Sequence, residues 1–93
     1  MMKRKVAIVT GADGGMGREI TRALAACGYY VIMVCRDIFP AIPVKKEIEK
    51  DIQYAELEIM EANLASLTSV SALADKLLAR GLPVSLLMNN AGT

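Results

Sequence analysis

The segment of residues 10–17, TGADGGMG, constrains the fold of this chain more than any other. It follows the continuous apolar run of residues 6–9, which is typical of a strand buried on both faces of a parallel sheet. It precedes a helical pattern that ends at Gly28. Glycines at a strand–turn–helix junction let the chain turn tightly and let a diphosphate approach the backbone. The free amides and positive dipole of the helix N-terminus attract phosphate, so the segment predicts a dinucleotide-binding turn.

The rest of the chain continues as alternating strands and helices. Further strands are predicted at Tyr30–Cys35, at residues 54–60, which alternate and so lie near a sheet edge, and at residues 84–88. Two prolines favour a loop at residues 38–43, with Pro43 acceptable in the first turn of a following helix. The third helix is expected to start near Ser66 and stop at Gly81. The expected apolar helix faces are Ile20, Ala23, Leu24 and Cys27; Val44, Ile48 and Ile52; and Val70, Leu73, Ala74, Leu77 and Leu78.

Composition argues against several classes of function. Eleven basic and 10 acidic residues give a net charge of +1, which provides no electrostatic footprint for nucleic acid. The two cysteines, Cys27 and Cys35, with no histidine, do not make a zinc site, and both are expected to pack. No apolar stretch is long enough to span a bilayer. We expect a cytoplasmic protein. The apolar content of 54% indicates that some surface is covered by a partner, either more chain or a second copy.

Two motifs together resemble the short-chain dehydrogenase/reductase family. Thr10, Gly11, Gly15 and Gly17 match the family's TGxxxGxG pattern, and residues 89–92 match its NNAG motif at the end of the fourth strand. The resemblance implies a three-layer α/β Rossmann-type fold with a parallel sheet in the order 3-2-1-4. It also implies cofactor contacts from two groups of residues, namely Gly11, Asp13, Gly14, Gly15, Met16 and Gly17 in the turn, and Asn90, Ala91 and Gly92 after the fourth strand.

The pair Asn63–Leu64 follows the third strand, and Asn63 departs from the family pattern. Members usually carry Asp-Leu here, and the Asp accepts a hydrogen bond from the adenine amino group. Asn63 keeps a carbonyl acceptor but lacks the charge. An Asn is also common in an ordinary turn, so the adenine contact and a purely local role are both open.

The end of the second strand bears on the choice between NADP and NAD. NAD-binding members place an acid there for the ribose 2′-hydroxyl. This chain has Cys35 followed by Arg36, and an Arg can bind the 2′-phosphate of NADP through charge-assisted hydrogen bonds. Asp13 and Asp37 would repel that phosphate, and a solvated Arg36–Asp37 pair is the structural alternative. We expect NADP, with NAD as the other candidate.

No catalytic residue is identified in this sequence. Family members use a Ser, a Tyr-x-x-x-Lys pair and an Asn, and these follow NNAG. Tyr29, Tyr30 and Tyr54 have no Lys four residues later, and we expect them to pack with their hydroxyls in solvent. Residues 1–93 therefore read as one NAD(P)-binding half-domain without the catalytic half, from an oxidoreductase acting on a carbonyl/alcohol pair.

Two alternatives remain open at this point. One is a non-catalytic, stand-alone NAD(P)-binding module, and the other is a structural chain whose glycine turn binds nothing. In the isolated chain the fourth strand is expected at an open sheet edge, so the chain is expected to pair with another copy, swap elements or aggregate. Sedimentation at low micromolar concentration showing a stable monomer would count against such pairing.

Overall fold

A computed structural model describes residues 5–89 of the 93-residue chain. Strands and helices alternate along the whole described part, as the sequence predicts. The strands are β1 (Val6–Thr10), β2 (Tyr30–Cys35), β3 (Glu56–Glu61) and β4 (Val84–Asn89). The helices are α1 (Gly15–Ala26), α2 (Ile38–Asp51) and α3 (Leu67–Arg80).

The four strands form one parallel sheet in the order β3-β2-β1-β4. This confirms the predicted order, with β3 and β4 at the two edges. Every residue of β1 is buried, and so is every residue of β2 except Tyr30, as expected for central strands covered on both faces. Because the strands are parallel, all four end at the same edge of the sheet, which we call the carboxyl edge.

The helices cover the sheet from both sides and complete three layers. On one face, Ile20 and Leu24 of α1 and Val44 and Ile48 of α2 pack with Val9 and other buried strand residues. On the other face, Leu73 and Leu77 of α3 pack against a second buried cluster. Its members are Val6, Ile8, Ile32, Val34 and Ala62. The three-layer α/β architecture is therefore confirmed.

Small residues, and not only large apolar ones, form the buried face of α1. Its buried residues are Gly17, Thr21 and Ala25, which lie one turn apart on a single stripe. The Thr21 hydroxyl donates to the carbonyl oxygen of Gly17 at 2.8 Å, so its polar atom is satisfied inside the core. The predicted face was partly wrong, because Ala23 and Cys27 are exposed. Ile20 and Leu24 flank the small stripe.

The predicted loop at residues 38–43 is wrong, because α2 begins at Ile38. The Asp37 carboxylate accepts a hydrogen bond from the Phe39 amide at 3.1 Å and caps the helix. Pro40 falls in the first turn, where an N–H has no helical acceptor in any case. Pro43 lies inside the helix and gives up one hydrogen bond, yet its neighbours Ala41 and Val44 are buried. Burial of this apolar face outweighs that lost bond.

The third helix and β4 are the least covered parts of the fold. Ser66 caps α3 through a hydrogen bond from the Ser69 amide at 3.3 Å, and Gly81 ends it, as predicted. No residue of α3 is fully buried. Three residues of its predicted apolar face, Val70, Ala74 and Leu78, are exposed instead, and Leu78 is 78% exposed. β4 has no buried residue either, so pairing through this edge stays a prediction.

Candidate dinucleotide-binding site

The predicted site residues of the glycine turn lie at the carboxyl edge, between β1 and α1. Gly11 leaves β1 with φ 63°, a left-handed conformation that favours glycine. The Ala12 amide donates to the carbonyl oxygen of Val34 at 3.4 Å, which ties the turn to β2. The Gly14 amide then donates to the Gly11 carbonyl oxygen at 3.2 Å. The result is a closed turn that delivers the N-terminus of α1 to the carboxyl edge.

The N-terminus of α1 presents backbone amides and no side-chain cap. Gly14 is the N-cap residue and makes no side-chain capping bond, and the first helical bond runs from the Arg18 amide to the Gly14 carbonyl oxygen at 2.7 Å. The amides of Gly15, Met16 and Gly17 therefore have no acceptor within the helix. Together with the helix dipole they form a cradle suited to a phosphate.

Gly17 and Gly15, in the first turn of α1, lack a side chain for different reasons. A Cβ at Gly17 would lie 2.0 Å from the Gly11 carbonyl oxygen, so Gly17 is required by the close packing of α1 on the turn. A Cβ at Gly15 would meet no protein atom within 4 Å. The space beside Gly15 is open in the protein, which fits a position where a bound group approaches the backbone.

A side-chain hydrogen bond joins the turn to the end of β4. The Thr10 hydroxyl lies 3.0 Å from Asn89 Oδ1 and 3.4 Å from the Met88 carbonyl oxygen. Thr10 is only 6% exposed, so this contact fixes the relative position of the β1 and β4 ends. The two motifs of the family pattern are thus neighbours in space. The predicted contacts Asn90, Ala91 and Gly92 lie outside the described residues.

The end of β2 brings a buried thiol and an exposed guanidinium to the same edge. Cys35 is buried, whereas Arg36 and Asp37 are exposed. Within residues 5–89 no ion pair joins Arg36 to Asp37, whose carboxylate caps α2 instead. Arg36 is thus exposed, as the structural alternative expects, but it makes no ion pair with Asp37, and its role in cofactor binding stays a prediction.

Three carboxylates act on the Cys35 thiol. Burial and these nearby negative charges raise the pKa of Cys35 to about 11. In decreasing order of effect the carboxylates belong to Asp13, Glu61 and Asp37. Glu61 was not predicted, because only the register of β3 against β2, which pairs it with Cys35, reveals its position.

Asn63 forms a local turn beyond β3. Its side-chain Oδ1 atom accepts a hydrogen bond from the Ala65 backbone amide at 3.0 Å, and its backbone amide donates to the Ser69 hydroxyl at 2.8 Å. These bonds hold the start of α3 close to the carboxyl edge. Leu64, the next residue, is 39% exposed. Asn63 has the predicted turn role, and the adenine contact stays a prediction.

Two of the three tyrosines make hydrogen bonds within the described part of the chain. Tyr30 donates its hydroxyl hydrogen to Glu58 at 2.6 Å, and Tyr54 donates to the Ala26 carbonyl oxygen at 2.7 Å. The prediction of a hydroxyl in solvent is therefore wrong for Tyr30, whose hydrogen bond is partly buried, whereas the hydrogen bond of Tyr54 is exposed and Tyr54 is 54% exposed. Burial, and then the Glu58 hydrogen bond, raises the pKa of Tyr30. Over residues 5–89, no group of three histidine, cysteine or acidic side chains is arranged to hold a metal ion.

The family model described as short chain dehydrogenase matches residues 5–93. The chain belongs to the short-chain dehydrogenase family. A polyprenol dehydrogenase of Danio rerio is 41% identical over 88 residues, which cover 95% of this chain and 27% of that protein. Retinol dehydrogenase 12 of Mus musculus is 34% identical over 95% of this chain and 28% of its own length.

Solved structures of the short-chain dehydrogenase family share the fold. A metagenomic short-chain oxidoreductase in complex with NADP superposes with a TM-score of 0.85 at 34% identity. The alignment covers 96% of this chain and 39% of that structure. The chain thus spans between a quarter and two fifths of these relatives. None of the helices within residues 5–89 has the length and apolar character needed to cross a membrane.

Proposed function

We propose that this chain is the dinucleotide-binding portion of an NADP-dependent short-chain oxidoreductase that acts on a carbonyl/alcohol pair. The observation that carries the proposal is the N-terminus of α1, which has no side-chain cap and has open space beside Gly15. The first amides of this helix would bind the pyrophosphate, and the turn from Gly11 to Gly14 would orient it. The geometry fits the group that the family implies.

Arg36 supports NADP as the preferred cofactor. Its exposed guanidinium follows the end of β2, where the ribose of a dinucleotide lies in this type of fold. One oxygen of the Asp37 carboxylate accepts the capping hydrogen bond of α2, and Asp37 makes no ion pair with Arg36. The guanidinium is therefore available to a 2′-phosphate. The NADP bound in the metagenomic relative agrees with this choice.

We propose that a longer protein carries out the redox reaction and that this chain is its cofactor-binding portion. The cofactor supplies the hydride, and family members add a Tyr, a Lys and a Ser beyond the NNAG motif. The two relatives are dehydrogenases named for polyprenol and retinol, which are alcohols. We propose that the 93-residue chain binds the cofactor without catalysing hydride transfer. We also propose a cytoplasmic location, from its two free thiols.

Titration with NADPH and NADH, followed by nucleotide fluorescence, tests the proposal directly. The wild-type chain should bind NADPH more tightly than NADH. Arg36→Ala should weaken NADPH binding about tenfold or more, because a charge-assisted hydrogen bond to phosphate is lost, and leave NADH nearly unchanged. Lys46→Ala, which removes an exposed positive charge from the middle of α2, is the matched control. A folded chain that binds neither nucleotide would overturn the proposal.

A further inference from the structure

Asn63 lies at the carboxyl edge, beside the strand end where the ribose of a dinucleotide would bind. The Ala62 backbone amide donates to the Cys35 carbonyl oxygen at 3.0 Å, so Asn63 directly follows a contact with the end of β2. In this type of fold the phosphates bind at the N-terminus of α1 and the ribose at the end of β2. Because the sheet order is β3-β2-β1, we expect the base on that ribose to extend toward the end of β3 and Asn63.

Three of the four polar groups of Asn63 are used within its own turn. Its backbone amide donates to the Ser69 hydroxyl at 2.8 Å, and its backbone carbonyl oxygen accepts from the Ser66 amide at 3.0 Å. Its side-chain Oδ1 atom accepts from the Ala65 amide at 3.0 Å. The remaining group is the side-chain Nδ2 amide, which makes no hydrogen bond to any residue between 5 and 89.

The turn also fixes the orientation of the Asn63 carboxamide. If this planar group were rotated by half a turn, Nδ2 would face the Ala65 amide, and two hydrogen-bond donors would meet without an acceptor. Oδ1 is therefore held on the Ala65 amide, and the other corner of the carboxamide is a donor. Asn63 is only half-buried, so this donor is accessible to a bound group. A carboxylate in the same turn would have a second oxygen at that corner, which would accept instead.

We infer that Asn63 is a specificity-determining residue that donates a hydrogen bond to the base of the cofactor, so that this site does not select the amino group of adenine. This polarity is opposite to the acceptor expected at this position from the sequence. Hypoxanthine has a carbonyl oxygen, an acceptor, in place of the amino group of adenine. The inference rests on the proposed function, and it predicts that the hypoxanthine analogue of the cofactor is not rejected.

The test compares the binding of NADPH with that of its hypoxanthine analogue, both followed by the fluorescence of the reduced nicotinamide. The two nucleotides carry the same phosphates, so the ratio of their dissociation constants isolates the contact with the base. The wild-type chain should bind the analogue as tightly as NADPH or more tightly. Asn63→Asp keeps an acceptor for the Ala65 amide and adds an acceptor toward the base, so it should shift the ratio in favour of NADPH by about threefold or more.

Gln53→Glu is the matched control, because it makes the same change from amide to carboxylate away from the site. Gln53 is exposed in the segment before β3, at the opposite end of the sheet, so the ratio should stay within about twofold of the wild-type value.

Two results would overturn the inference while leaving the proposed function intact. One is a wild-type chain that binds NADPH more than about threefold more tightly than the analogue, and the other is an Asn63→Asp shift smaller than about threefold. If the folded wild-type chain binds neither nucleotide, the proposed function fails and the inference with it.

Discussion

All five residues of β1 are buried and none of the six residues of β4 is, although the two strands are hydrogen-bonded neighbours. The same contrast separates the helices. α1 and α2 each bury residues against the sheet, whereas α3 buries none completely. The glycine turn is joined to the well-packed side, between β1 and α1. The turn is therefore positioned by elements that bury residues within this chain, whereas α3 and β4 are packed less tightly.

Gly17→Ala should break the well-packed side and have the largest effect on stability. Its new methyl group would lie 2.0 Å from a backbone oxygen, and neither the turn nor α1 can move without opening the core. We expect a loss of about 4 kcal/mol or more, enough to unfold much of a small domain. Urea denaturation followed by circular dichroism measures it.

Gly15→Ala is the control for Gly17→Ala, because its methyl group meets no protein atom within 4 Å. It should leave the urea midpoint unchanged or slightly higher, since Ala favours a helix. NADPH binding should nevertheless weaken about tenfold, because the methyl group occupies the open space beside the amides. A destabilised Gly15→Ala, or equal midpoints for the two variants, would contradict the packing described for α1.

Paired truncations in α2 and α3 should sharpen the contrast between the helices. Ile48 is fully buried in α2, whereas Leu78 is 78% exposed on α3. Ile48→Ala should cost about 3 kcal/mol through lost burial and a cavity, and Leu78→Ala less than about 0.5 kcal/mol. Thermal and urea unfolding of the two variants measure the difference. Similar losses would show that α3 is covered in solution, for example by a second copy of the chain.

Much of this fold could be predicted because its strands and turns are encoded locally. The apolar runs of β1 and β2 and the glycine turn between β1 and α1 each carry their own pattern, and the parallel order follows from the helical crossovers. What could not be predicted depends on contacts between distant segments. The small stripe of Gly17, Thr21 and Ala25 is recognisable only once α1 lies on the sheet.

The same limit applies to the candidate site. The glycine turn and Arg36 could be identified from sequence, whereas Glu61 becomes a neighbour of Cys35 only through the β2–β3 register. The start of α2 was missed for a different reason. Two prolines favour a loop on their own, but the Asp37 cap and the buried face of Ala41 and Val44 favour a helix more strongly.

Glu58→Gln should destabilise the chain less than Gly17→Ala or Ile48→Ala and shows how the loosely packed side is held. Arg80 of α3 donates to Glu58 at 2.6 Å, and Tyr30 donates to the other oxygen of the same carboxylate. The Arg80 hydrogen bond, chiefly, lowers the pKa of Glu58. A lowered folded-state pKa gives stability that is present above the ordinary pKa of about 4.3 and is lost as the pH falls through the folded value. At pH 7 we expect Glu58→Gln to cost about 1 kcal/mol, because this pair is only partly buried.

The pH dependence of stability in Glu58→Gln distinguishes the contribution of the Arg80–Glu58 ion pair from that of apolar packing. The amide introduced by this substitution would keep an acceptor for Tyr30 but lose the charge, so the urea midpoint of the variant should fall less than that of the wild type between about pH 7 and about pH 3. Asp75→Asn removes an exposed charge from the same helix as Arg80 and should leave the wild-type pH profile intact. If the two variants have the same profile, α3 is held by the packing of Leu73 and Leu77 and by the Asn63 turn, without a contribution from the ion pair. If only Glu58→Gln flattens the pH profile, the Arg80–Glu58 ion pair contributes to the attachment of α3, which has no fully buried residue.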